Sequence, residues 1–146
     1  MSEAGTSVNV ARFLAMRAGD QPEGLAVLAP RGRDKAGRID YEQLTFRALH
    51  LQAGQVAAGL KAAGIGRGTR VLLMVKPGSD LIRCAFALFM VGAVPVVIDP
   101  GMGLRHFLKC VQRTRPEGLL GIPLGHWVSR FFPGVFRTVR RRVVVN

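Results

Sequence analysis

The chain has 146 residues, 49% of them hydrophobic and 21% charged, which supports one buried core without metal or disulfide staples and excludes an intrinsically disordered composition. Its two cysteines, Cys84 and Cys110, exclude a disulfide scaffold and fit reduced thiols in a cytoplasmic, reducing compartment. The net charge of +12 is uneven, with 12 basic and 8 acidic side chains in residues 1–100 but 9 and 1 in residues 101–146.

Asn9 is placed to cap a first helix from Val10 to about Arg17, with Val10, Phe13, Leu14 and Met16 as its apolar contacts. Leu25 to Ala29 reads as a short strand, residues 31–37 as a polar turn, and Arg38 to Tyr41 as the returning hairpin partner. A long helix is predicted from about Tyr41 to Ala63. One apolar face carries Leu49, Ala53, Val56, Leu60 and Ala63, a neighbouring strip carries Leu44, Ala48 and Leu51, and Gly64 stands at C′.

Thr69 to Val75 is a β-branched and aliphatic run, as in a strand covered on both faces. Pro77-Gly78 turns the chain, and Ser79 sits where an N-cap belongs, before a helix ending near Val91. Val94 to Ile98 is a second buried strand, residues 104–113 a helix, and Leu119 to Ile122 a third strand. Residues 69–122 thus alternate strand and helix, so the fold class is α/β, a partial doubly wound sheet. Residues 1–122 read as an N-terminal α/β subdomain, and 123–146 as a basic, hydrophobic segment. That segment holds a short helix from His126 to Phe132 and a strand from Val143 to Val145. With only Asn146 after that strand, the chain is expected to be the front of a larger protein.

No basic region followed by an apolar core begins the chain, so no secretory leader is expected. Cys84 to Ile98 is shorter than the roughly 18 residues of a bilayer span.

Candidate chemistry is sparse. Gly64-Ile-Gly-Arg-Gly68 follows a helix and opens a strand, the reverse of a dinucleotide loop, and reads as helix C-cap and turn. Gly101-Met-Gly103 lies between strand and helix, where backbone N–H groups suit an anion. His106 stands where a third glycine belongs, however, which favours a structural turn. His106 and Cys110 share a helix face, but His50, His126 and Cys84 complete no metal-ligand spacing. Ser79 and Ser129 lack a base and an orienting group in sequence. Asp99 ends a strand, where α/β enzymes place functional groups, and also begins an Asp-Pro turn. Arg130, Arg137, Arg140, Arg141 and Arg142 lie among Trp127, Phe131, Phe132 and Phe136. They read as a solvated face or as a surface for anionic membrane, less as a nucleic-acid site.

Three ordered stretches carry a resemblance. Ile39-Asp-Tyr-Glu-Gln-Leu44 resembles the "T-Y-x-E-L" entry to the first long helix of the AMP-forming acyl-adenylate synthetases, which include acyl-CoA ligases, luciferases and peptide-synthetase adenylation domains. Leu60, Gly64, Gly66 and Gly68-Thr-Arg-Val71 resemble "L-x-x-x-G-I-x-x-G-D-R-V", with Thr69 where aspartate is usual. Ala85, Gly92-Ala-Val-Pro-Val96 and Asp99-Pro100 resemble "A-x-x-x-x-G-A-V-x-V-P-x-x-P". The match covers roughly residues 9–122. Residues 97–103 and the segment after Pro116 are similar to the fatty-acyl branch, which includes β-lactone synthetases.

The resemblance implies ATP-dependent activation of a carboxylate, a fatty acid foremost, as an acyl-adenylate, with Mg²⁺ neutralising phosphate charge. CoA is the usual acceptor, and a β-hydroxy acid closes on itself in the β-lactone branch. The family's Ser/Thr/Gly-rich phosphate loop, its aromatic-x-x-Thr-Glu motif and its ribose-binding aspartate have no counterpart in these residues. No catalytic, cofactor-binding or metal-binding residue is therefore carried over. ATP and Mg²⁺ are expected of the full-length family enzyme, with none bound by this chain alone. The alternatives are a basic module that binds anionic membrane or nucleic acid through Arg130, Arg137, Arg140, Arg141 and Arg142, and half of a split ligase completed by a second chain.

Overall fold

The computed structural model describes residues 9–145. Helix α1 (Ala11–Asp20) leads into an antiparallel hairpin of β1 (Leu25–Arg33) and β2 (Ile39–Thr45), and α2 (Phe46–Ala62) follows directly. The remainder alternates: β3 (Arg70–Met74), α3 (Ser79–Met90), β4 (Val94–Val97), a 3₁₀ turn, α4 (Leu104–Thr114), β5 (Gly118–Gly121), α5 (Pro123–Phe131) and β6 (Arg141–Val144). The four later strands form one parallel sheet in the order β4-β3-β5-β6. Both α5 and β6, from the basic segment, continue the same alternation.

Strand periodicity sends successive side chains to opposite faces, and each face of this sheet meets helices. Val71, Leu73 and Leu120 join Leu60 of α2 and Leu88 of α3 in one core. Leu72 and Leu119 face the other way, onto Phe107 and Val111 of α4 and onto Phe136 and Val139. Leu72, Leu119 and Leu120 have no solvent exposure, and full burial of such a side chain contributes about 1.5–3 kcal/mol. A third core joins Leu14 of α1 to Val27, Ala29 and Leu44 of the hairpin and Leu49 of α2.

The turn at residues 64–68 is a helix stop, as expected. The Gly64 N–H donates to the Lys61 carbonyl and the Ile65 N–H to the Leu60 carbonyl, with Gly64 at φ +76°.

Three local expectations are corrected. The hairpin return expected to end at Tyr41 runs on, so residues 42–45 are strand, not helix: Tyr41 pairs with Pro30 and Thr45 with Leu25. Thr45 then caps α2, its Oγ1 accepting from the Ala48 N–H at 3.1 Å. Long-range pairing with β1 therefore overrides the helical spacing read through this stretch. It also splits the second apolar strip, for Leu44 is buried in the hairpin core while Leu51 is exposed. Ser79 is not an N-cap. It is the first residue of α3 after Gly78, and its buried hydroxyl donates to the Glu42 carboxylate on β2. On α1, Ala11 and Leu14 are buried, whereas Val10, Phe13 and Met16 are about half exposed.

Candidate functional site

Two concavities lie at opposite ends of the parallel sheet. The carboxyl ends of β3, β4 and β5 open into an apolar groove of about 570 Å³. The chain leaves β3 for α3 on one face and β5 for α5 on the other, and this divergence is where open α/β sheets place their ligands. Leu73 and Met74 contribute from β3, Leu104 and Phe107 from α4, Leu124 and Val128 from α5. Two glycines shape the groove. A Cβ on Gly121 would lie 2.8 Å from the Met74 carbonyl oxygen, and one on Gly125 would lie 2.8 Å from the Met74 Cβ. Their bareness lets the start of α5 press against the end of β3, where the Ile122 N–H donates to the Met74 carbonyl at 3.0 Å.

The groove's charged side chains are Lys76 and Asp99. Asp99 Oδ1 accepts from the Gly101 N–H at 2.8 Å, so the carboxylate holds its own turn. An apolar wall with one ammonium at its rim suits an acyl chain or another apolar ligand better than a polyanion.

The second concavity, about 520 Å³, lies at the amino ends of β3, β5 and β6. Arg70, Arg113, Arg115, Arg140 and Arg141 line it with a single carboxylate, Glu117. Arg70 is committed: its Nη2 donates to Glu117 Oε1 at 2.9 Å and its Nε donates to the Arg115 carbonyl at 3.2 Å.

The other sequence candidates take structural roles. Gly103, at φ +86°, precedes α4 and its carbonyl accepts from the Phe107 N–H at 3.0 Å. Cys110 Sγ lies 3.9 Å from Met102 Sδ, and His106 is exposed on the same helix. Among the described residues no group of three His, Cys, Asp or Glu side chains could hold a metal. His126 Nε2 lies 3.1 Å from the Val143 carbonyl, joining α5 to β6, and the buried Ser129 hydroxyl donates to the His126 carbonyl at 2.8 Å. Cys84 is fully buried, and burial pushes its thiol up to about 11. His50 is half-buried on α2.

Of the five arginines grouped by sequence proximity, Arg140 and Arg141 line the basic cleft; Arg130, Arg137 and Arg142 are exposed outside it. Sequence reading did not connect Arg140 and Arg141 with Arg70, Arg113 and Arg115. The usable signal is positional, since Arg70, Glu117 and Arg140 each lie immediately before or at the start of neighbouring strands. Lys76 likewise carries no motif in the sequence, although it follows β3 at the carboxyl end.

Against this geometry, the family model for AMP-binding enzymes matches residues 15–137. The chain belongs to the AMP-binding enzyme family. Within this family, an olefin β-lactone synthetase of Xanthomonas campestris pv. campestris is 37% identical over 126 residues, covering 86% of this chain and 23% of that protein. An olefin β-lactone synthetase of Stenotrophomonas maltophilia is 40% identical over 143 residues, covering 92% and 26% respectively. The chain thus spans about a quarter of these relatives and corresponds to an N-terminal part of an AMP-binding enzyme. Its fold is shared with a long-chain-fatty-acid-CoA ligase from Archaeoglobus fulgidus (TM-score 0.79, 18% identity, 94% of this chain and 27% of that one). The Klebsiella oxytoca NpsA N-terminal subdomain in complex with 3-hydroxyanthranilyl-AMSN shares it as well (TM-score 0.65, 19% identity, 77% and 26%). The three motif stretches fall on β2, on the end of α2 and the turn into β3, and on α3 through β4 to the start of the 3₁₀ turn.

An AMP-binding enzyme implies a nucleotide and Mg²⁺. With one rim ammonium and one carboxylate already engaged by Gly101, the groove's own residues do not make a magnesium–triphosphate site.

Proposed function

We propose that this chain supplies the N-terminal α/β part of a ligase that activates a carboxylate, a fatty acid foremost, as its acyl-adenylate with ATP and Mg²⁺. In this reading it does not catalyse alone. The observation that carries the proposal is the family match over residues 15–137, which falls on the elements that build the parallel sheet and its apolar groove. Fatty substrates are favoured by the names of the relatives. Beside the two olefin β-lactone synthetases stands a medium/long-chain-fatty-acid–[acyl-carrier-protein] ligase of Mycobacterium tuberculosis, 26% identical over 123 residues. An acyl chain also fits an apolar concavity of this size.

CoA or a carrier protein is the proposed acceptor, with closure by a β-hydroxyl as the finer alternative suggested by the β-lactone synthetases. Residues 1–122 are taken as the motif-bearing subdomain, which 123–146 extend through α5 and β6. A cytoplasmic setting fits the two free thiols. The family match over residues 15–137 favours this reading over a stand-alone basic module.

The test is ATP–pyrophosphate exchange with the purified chain, Mg²⁺ and fatty acids of several lengths. Exchange at the level of a no-enzyme blank is expected. Clear, fatty-acid-dependent exchange from these 146 residues would overturn the proposal.

A further inference from the structure

We propose that the cleft at the amino ends of β3, β5 and β6 binds a small polyphosphate anion. It lies at the opposite end of the sheet from the apolar groove, so the two sites are separate. Five guanidinium groups line it against one carboxylate, Glu117, and Arg70 already satisfies that carboxylate. Arg113, Arg115, Arg140 and Arg141 have no side-chain partner among the described residues. Four like charges converging on one concavity repel each other, and a multiply charged anion relieves that repulsion. Guanidinium groups also match phosphate oxygens bidentately.

The cleft is assembled by the sheet rather than by one basic run. The Glu117 carbonyl accepts from both the Arg140 N–H (2.9 Å) and the Arg141 N–H (3.3 Å), which sets the start of β6 beside the start of β5. The Glu117 N–H donates to the Arg70 carbonyl at 2.8 Å, which fixes the start of β3 on the other side. Arg141 is half-buried, with its Nε 3.0 Å from where a Cβ on Gly64 would lie, so its side chain packs across a bare glycine. Arg113 and Arg115 complement the carbonyl end of α4, but that does not account for Arg70 and Arg141, which begin β3 and β6, or for Arg140, which immediately precedes β6. Arg115 also keeps a left-handed backbone, φ +47°, where glycine is the ordinary choice.

The ligand class follows from what the walls contain. No aromatic side chain lines the cleft, so a nucleobase has no stacking platform. A volume of about 520 Å³ holds a compact anion. A surplus of four positive charges balances an anion of about that charge, such as tripolyphosphate.

The test titrates tripolyphosphate into the intact chain by calorimetry at about 50 mM and about 200 mM salt, where screening separates exposed ionic contacts. Saturable binding that weakens at the higher salt is expected. Arg113→Gln/Arg140→Gln should weaken it by about tenfold or more. Arg31→Gln/Arg33→Gln, which removes the same charge from the end of β1, should stay within about twofold. Circular dichroism checks that both variants fold; all four positions are exposed. ATP should bind no more tightly than tripolyphosphate. Absent binding, equal losses in the two double variants, or tighter binding of ATP would each overturn the proposal.

Discussion

Ser79 and Glu42 lie 37 residues apart in sequence, and their hydrogen bond joins the hairpin to α3. Because the hydroxyl is buried and its acceptor is charged, Ser79→Ala should destabilise the chain by about 1–3 kcal/mol in urea titrations. Glu42→Gln, which keeps an acceptor, should cost less. At Cys84, burial is the main cause of a thiol raised from 9.0 to about 11, with Asp80 adding to it. The unfolded chain therefore releases this proton first. The stability that Cys84 contributes is full below pH 9 and is lost as pH rises toward 11, a decline that Cys84→Ala should flatten in pH-dependent melting. Folded protein should correspondingly present one reactive thiol, Cys110, to a thiol reagent at pH 8, and denatured protein two. At this scale the sequence is least informative. Ser79 reads as an N-cap in sequence, and only the fold shows that it is the first residue of α3 and that Glu42 is near enough to take its hydroxyl.

Among the elements, β5 is the most constrained. All four of its residues are buried, and Gly121 meets the backbone of β3. Gly121→Ala should cost about 1–3 kcal/mol through forced separation of the strands. By contrast, Gly59 on α2 is exposed and has open space around its Cβ position. Gly59→Ala should be neutral or stabilising by up to about 1 kcal/mol, and chemical denaturation of the two variants side by side checks the contrast. The β3-to-β5 alternation was legible because buried parallel strands are short aliphatic runs bounded by glycine, proline and helical periodicity. The β2–α2 boundary was not. Residues 42–45 carry helix-compatible spacing, and what makes them strand is continued pairing with residues 25–29, an extent that local periodicity cannot register.

At the scale of the whole molecule, α5 leaves Leu124, Trp127 and Phe131 at 67%, 61% and 71% exposure, one apolar stripe on an outer helix. Stripes of this kind mark contact surfaces. The isolated chain should therefore self-associate in light scattering at micromolar concentrations, and Trp127→Ser/Phe131→Ser should shift it toward monomer. The apolar groove was foreseeable as a class of place, since the carboxyl ends of parallel strands can be located from the strand order that the alternation implies. The basic cleft was not, because it gathers arginines from three separate regions of the chain.

The role proposed for this fold, as the N-terminal part of a carboxylate-activating ligase, can be tested by a graft. The chain would replace the matched stretch of the Stenotrophomonas maltophilia olefin β-lactone synthetase, to which it is 40% identical over 143 residues. Acyl-adenylate formation by the purified chimera would then be measured by ATP–pyrophosphate exchange. Fatty-acid-dependent exchange is expected, and its loss with Gly121→Ala in the graft would tie it to the sheet and groove. A chimera that folds, as judged by a cooperative melt, yet gives no exchange would contradict the claim.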